Sequence, residues 1–124
     1  MKQVINPANA PAPIGPYSRA IKAGNTIYTS GNIALDANGN LYVGDIKTET
    51  ELVMNNLRTL LNAANATFDN VVKASIFIAD MNDFGAINEV YASYFTSDFP
   101  ARETVQVARL PKDARVEISM IAVV

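Results

Sequence analysis

The chain has 124 residues, 49% hydrophobic against 18% charged, which suits one domain spanning 1–124 with a packed core and excludes a disordered tail. It contains no cysteine and no histidine, so disulfides, thiolate nucleophiles, imidazole acid–base chemistry and the common zinc sites are excluded together. Ten Lys and Arg against twelve Asp and Glu give a net charge of −2, without the basic surplus a dedicated nucleic-acid binder uses to displace counterions from phosphates. Chemistry is left to Asp, Glu, Tyr, Ser, Thr, Lys, Arg, backbone groups or water, and no cofactor is expected. No apolar run approaches the ~20 residues of a membrane span. The opening Met1-Lys2-Gln3-Val4-Ile5-Asn6-Pro7 lacks the apolar stretch of a secretory signal, so a cytoplasmic protein with no membrane association is expected.

Four prolines, at 7, 11, 13 and 16, make the segment from Asn6 to Pro16 a tethered loop, since proline withdraws a backbone donor and fixes φ. Short β-like runs follow at 17–23 and 26–30 around Gly24-Asn25, and a second turn at Asn38-Gly39 separates Ile33-Ala34-Leu35 from Leu41-Tyr42-Val43. From 46 to 64 the period changes: Val53, Leu57, Leu60, Leu61 and Ala64 recur at helical spacing. Thr48 and Glu51 match a capping box, and Asn65 suits a left-handed C-terminal residue.

Residues 71–79 alternate as a strand, with Val72, Ala74, Ile76 and Ile78 on one side and Lys73, Ser75 and Phe77 on the other. A second helix is predicted over 83–95, its buried side defined by Phe84, Ile87, Tyr91, Tyr94 and Phe95. Two strands complete the chain, at about 103–108 and 115–123. Two amphipathic helices on one face of a mixed β-sheet make a two-layer α+β sandwich. In the last strand Val116, Ile118 and Met120 take one face, and Ile121 and Val123 the other with Glu117 and Ser119. Two helices cover one face only, so the second apolar face is expected to meet another copy of the chain.

Several polar residues interrupt this pattern. Arg102 enters a strand directly after Pro100-Ala101 and shares a face with Thr104 and Gln106. A guanidinium at a strand mouth beside a hydroxyl suits a carboxylate ligand gripped through paired hydrogen bonds; a surface ion pair is the alternative. Glu117 lies inside a strongly apolar strand, where a carboxylate is costly to desolvate unless it works or is paired. The pairing alternatives are Arg102, Arg109 and Arg115. Tyr17, after the rigid turn Ile14-Gly15-Pro16, either points its hydroxyl into a cleft or packs its ring as core. Thr29-Ser30-Gly31 ends a strand with a residue that lets a ligand approach the backbone, although ordinary strand-end chemistry explains it equally. Asn88, beside the apolar stripe of the second helix, either caps a pocket or faces water.

Taken together, Ala12-Pro13-Ile14-Gly15-Pro16-Tyr17-Ser18, Thr29-Ser30-Gly31, Asn82-Asp83-Phe84, Asn88-Glu89-Val90-Tyr91 and the stretch from Pro100-Ala101-Arg102 to Glu117 resemble the RidA family of reactive-intermediate deaminases over essentially the whole chain. The resemblance implies a homotrimer of chorismate-mutase-like α+β subunits with a ligand cleft at each subunit interface. It implies hydrolysis of 2-imino acids such as 2-iminobutanoate and 2-iminopropanoate to 2-keto acids and ammonia. Arg102 would hold the substrate carboxylate, Glu117 would orient or activate water, and Tyr17, Ser30, Gly31, Asn88 and Thr104 would line the cleft. Thr104 stands where the family often has cysteine, and Asn32 where glutamine is common, which bears on pocket size and substrate preference. The rival readings are a 2-keto-acid-binding regulatory module, RNA cleavage or translation inhibition, and a holdase; the acidic balance and absent histidine weigh against RNA cleavage.

Overall fold

The computed structural model describes residues 1–124. In chain order they form β1 (Lys2–Ile5), β2 (Ala20–Ala23), β3 (Thr26–Thr29), α1 (Ile46–Ala63), β4 (Val71–Ile78), α2 (Phe84–Ala92), β5 (Ala101–Gln106) and β6 (Val116–Val123). The six strands make one sheet in the order β1-β2-β3-β6-β4-β5. β6 runs antiparallel to both β3 and β4, so β3 and β4 are parallel to each other and α1 is the crossover between them. β4 and β5 pair parallel and are joined through α2, as a parallel pair requires. Both helices contribute to a single core with the buried residues of the sheet, among them Ile27, Ala74, Ile76, Val116, Ile118 and Met120. This is the expected two-layer α+β arrangement of two helices on a mixed sheet.

Local chemistry sets each element's bounds. α1 is capped by Asp45, whose carboxylate accepts from Thr48 N at 2.9 Å and Thr48 Oγ1 at 3.0 Å. The Thr48–Glu51 capping box therefore does not form; a carboxylate three residues earlier takes the position, favoured by the positive end of the helix dipole. Asn65 adopts φ 59°, and Ala66 N–H reaches back to Leu61 O at 2.9 Å, the left-handed ending its side chain suggested. In β4 an extra residue between Val71 and Lys73 shifts the register. Val71 turns into the core and Val72 is left 49% exposed, opposite to the simple alternation.

α2 is shorter than the predicted 83–95. A 3-10 turn, Met81–Asp83, precedes it, with Asp80 accepting from Asn82 N at 2.9 Å. Phe84 stays partly exposed while Ile87, Val90 and Tyr91 are buried, and Phe95 reaches the core from beyond the helix end. The Asn38-Gly39 turn forms, with Gly39 at φ 81°, but its flanks meet in one bridge, Leu35 to Leu41, and not in two strands. β1 was not anticipated. Only Ile5 of Lys2-Gln3-Val4-Ile5 is buried, so no alternation marks it, and its partner β2 begins at Ala20.

Arg115 proves to be the partner of Glu49. Glu49 is 1% exposed and accepts from Arg115 N at 2.9 Å and from Arg115 Nε at 2.6 Å, with Arg115 Nη2 in ion-pair contact 2.6 Å from its Oε1. Arg115 Nη2 also donates to Gly44 O. The pair pins the entrance of β6 to the first turn of α1, two residues before Glu117. Arg115→Met would strand a buried carboxylate, and about 3 kcal/mol of stability should be lost in urea unfolding.

The second sheet face is only partly covered. Ile33, Leu35, Leu110 and Ala114 form a satellite cluster against Phe77 at one end. Beyond it Tyr28 and Val105 are exposed at 48% and 42%, beside Lys73, Ser75, Glu103 and Ser119. Two polar links run across this face: Lys73 Nζ lies 3.1 Å from Glu103 Oε1, and Ser75 Oγ donates to Glu103 Oε2.

Candidate functional site

The residues singled out in the sequence fall into two groups, one on each side of the sheet. Register decides this. Phe77 lies opposite Glu117, so the Glu117 side chain projects from the second face, away from buried Val116 and Ile118. Ala74 lies opposite Arg102 and Ile76 opposite Thr104; Ala74 and Ile76 are core residues, so Arg102 and Thr104 project from the helix face. Within one chain the arginine and the glutamate do not share a pocket.

Glu117 opens into a cavity of about 270 Å³ lined with Ile14, Tyr17, Ser30, Gly31 and Pro111. The proline-rich loop is tied down by Arg19, which donates to Pro11 O, to Asn6 Oδ1 at 2.5 Å and to Pro7 O at 2.8 Å. Tyr17 N donates to Gly15 O at 2.9 Å, and the Tyr17 hydroxyl accepts from Ile14 N at 3.3 Å, so the ring stands at the cavity wall and is not core. Ser30 uses its hydroxyl structurally, donating to Ser18 O at 2.6 Å. Gly31 faces the carboxylate so closely that a Cβ there would lie 2.6 Å from Glu117 Cδ. A Cβ at this position would displace the Glu117 carboxylate and no backbone, so the close approach here is to a side chain. Glu117 has no ion-pair partner, which removes Arg102, Arg109 and Arg115 as its mates: Arg109 pairs with Asp113 and Arg115 with Glu49. Desolvation therefore acts alone and pushes its carboxyl above the ordinary 4.5.

The second group gathers under α2. Arg102 Nη1 donates to Asn88 Oδ1 at 2.6 Å, and its guanidinium carbon lies 5.1 Å from the Tyr91 ring centroid and 5.8 Å from that of Phe84. Asn88 and aromatic faces thus hold the cation and leave the Nε–Nη2 edge free for a planar anion. The adjoining cavity, about 420 Å³, is lined with Asn88, Tyr91, Ala92, Phe99, Pro100 and Arg102. The Thr104 and Tyr91 hydroxyls are both buried and without a partner, and burial pushes the Tyr91 phenol up to about 12. Such groups are rare in a folded interior because each costs about 1–3 kcal/mol. Tyr91 and Pro111 were not anticipated as site residues. Tyr91 reads as core by its spacing, which it also is; its place three residues after Asn88, on the same helical face, was the available signal.

Comparison with known proteins agrees with this architecture. The family model described as Endoribonuclease L-PSP matches residues 7–124. A RutC family protein of Pyrococcus horikoshii is 50% identical over 123 residues, 98% of each chain. The goat protein named 2-iminobutanoate/2-iminopropanoate deaminase is 49% identical over 99% of this chain and 90% of its own. A Rid-family protein of Yersinia pestis, described as of unknown function, superposes with a TM-score of 0.96 at 44% identity over the whole of both chains. A matching model across nearly the full length, relatives near half identity and a shared fold together carry one conclusion: the chain belongs to the RidA family, whose family model bears the description Endoribonuclease L-PSP.

Proposed function

We propose that this protein is a cofactor-free, cytoplasmic imine hydrolase that works as a homotrimer. It would convert 2-imino acids to 2-keto acids in a cleft where Arg102 of one copy meets Glu117 of the next. The observation that carries this reading is the split site: a free guanidinium edge in one cavity and a lone half-buried carboxylate in another, on opposite faces. Each is half of what a 2-imino acid needs, and the partly uncovered second face offers a surface on which copies could join. The deaminase names of relatives at 45–49% identity supply the substrate class.

The reaction is R–C(=NH2⁺)–COO⁻ + H2O → R–CO–COO⁻ + NH4⁺. The iminium carbon is already electrophilic, so the protein has to orient and to move protons. The Nε–Nη2 edge of Arg102 anchors the carboxylate. Glu117 takes a proton from water as its oxygen bonds to the iminium carbon, giving a carbinolamine. That proton passes to the nitrogen, the C–N bond breaks as the carbonyl forms, and the remaining proton joins ammonia. General-base help of this kind contributes about 10²–10⁴-fold. The Thr104 hydroxyl lies on the Arg102 side but is buried and does not line that cavity, so it is given no contact with the bound acid. Although the family model's description names a ribonuclease, the net charge of −2 and absent histidine do not favour that chemistry.

The activity is tested by letting threonine dehydratase generate the imine in the presence of semicarbazide, which traps whatever escapes hydrolysis. The protein should lower semicarbazone formation. Keto-acid binding without that protection would instead leave a binding module. Gly31→Ala, which puts a methyl against the carboxylate, should lower kcat by about 10²-fold, the expected penalty for moving a reacting group by ~1 Å, with an unchanged circular dichroism spectrum. The shared cleft has its own test. Arg102→Ala and Glu117→Gln chains, unfolded together and refolded as a random mixture, should regain about a quarter of wild-type activity, because a quarter of the sites draw an intact residue from each neighbour. No recovery in assembled mixtures would mean that a single chain supplies both residues.

A further inference from the structure

The contact between Gly31 and Glu117 depends on an irregularity in the sheet. β3 pairs with β6 from Thr26 opposite Val123 to Tyr28 opposite Ile121, and the pairing resumes as a bridge between Asn32 and Ile118. Tyr28 to Asn32 is four steps, whereas Ile121 to Ile118 is three. One residue is therefore extra, and Ser30 and Gly31 bulge opposite Ser119. The bulge is fixed on its outer side by Ser30 N to Arg19 O, 2.8 Å, and Ser30 Oγ to Ser18 O, 2.6 Å. Asn32 Nδ2 donates across it to Ser30 O at 3.0 Å.

Its inner attachment is a side chain. Ile118 exchanges both backbone hydrogen bonds with Asn32, at 2.8 and 3.1 Å, so the N–H groups of Ile118, Met120 and Ala122 all point toward β3. Regular pairing ends at Tyr28, and the partner that Met120 N–H meets is Thr29 Oγ1, 2.9 Å away and partly buried. The threonine hydroxyl stands in for a ladder carbonyl where the strand departs from the sheet.

We infer that Thr29 is a positioning residue for Glu117: its hydroxyl fastens the Ser30-Gly31 bulge to β6 and so fixes the wall against which the carboxylate rests. The kinetic side of this rests on the hydrolytic reading of Glu117; the geometric side does not. Valine at 29 keeps the shape and removes the acceptor, leaving Met120 N–H unmatched. Serine keeps the acceptor.

The experiment combines crystal structures of wild type, Thr29→Val and Thr29→Ser with the coupled imine assay. In Thr29→Val the Glu117 carboxylate should leave its place against Gly31. kcat should fall on the order of tenfold while KM stays within about twofold, since the carboxylate anchor is untouched. Thr29→Ser should match wild type in both respects, which a purely volumetric role for Thr29 would not produce. If Thr29→Val does not fold, Thr29→Ala carries the same comparison against Thr29→Ser. A carboxylate that stays in place without the hydroxyl overturns the inference whatever the rates do. Should wild type hydrolyse no imine while the carboxylate still moves in Thr29→Val alone, the positioning role stands and the proposed activity falls.

Discussion

Arg102→Ala is expected to lower kcat/KM for carboxylate-bearing imines by about 10²–10³-fold, equivalent to about 3–4 kcal/mol of transition-state stabilisation. The loss should appear mainly in KM, because the anchor is used by substrate and transition state alike. Nη1 is committed to Asn88, and the two aromatic faces hold the plane of the cation, so the remaining edge meets an incoming carboxylate without first being ordered. Lysine offers a point charge where a fork is needed, and Arg102→Lys should recover only a small part of the loss. The guanidinium belongs to no ion pair within the chain, so its removal strands no carboxylate and should cost only the Asn88 hydrogen bond and the two aromatic contacts, about 1–2 kcal/mol, with the fold retained. A wild-type KM in the alanine variant would end the anchoring role.

Glu117→Gln separates binding from turnover. kcat should drop by about 10²–10⁴-fold, whereas 2-ketobutanoate, which asks only for the carboxylate anchor, should bind in calorimetry as it does to wild type. The same substitution should affect stability in the opposite direction. Burial raises the Glu117 pKa in the folded chain, so the native state holds its proton more tightly than the unfolded state. The stability contributed by that proton is present at low pH and is lost as pH rises through the raised value. At neutral pH the wild-type carboxylate is therefore a liability that neutral glutamine removes, and the variant should unfold at a urea concentration equal to or above that of wild type. Activity carries the complementary signature: wild-type kcat should fall at low pH as Glu117 takes up its proton, and glutamine should abolish that limb. Wild-type turnover in Glu117→Gln would assign water activation elsewhere.

Much of the fold could be read from periodicity. The stripe of α1, the β4–α2–β5 succession and the face assignment within β6 all appear because each depends on neighbours a few residues apart. Parity likewise put Arg102 with Thr104, and Glu117 with Ser119 and Ile121. What could not be read is how these two parities relate. That is set by Ala74 lying opposite Arg102 and Phe77 opposite Glu117, pairings between distant segments in which a slip of one residue would reverse the answer. The bulges at Val71–Lys73 and Ser30-Gly31 were hidden for a related reason, since an inserted residue breaks the count that alternation relies on. The Glu49–Arg115 pair, 66 residues apart, carries no local signal at all.

The placement of Arg102 and Glu117 on opposite faces also bears on concentration. A chain that carried both groups in one pocket would keep its activity per molecule at any dilution. In the proposed arrangement an isolated chain holds two unmatched halves, and mass action governs how many are joined. Below the dissociation constant of the assembly, activity would fall more steeply than protein concentration. Each copy would then act both as enzyme and as the obligatory activator of its neighbour.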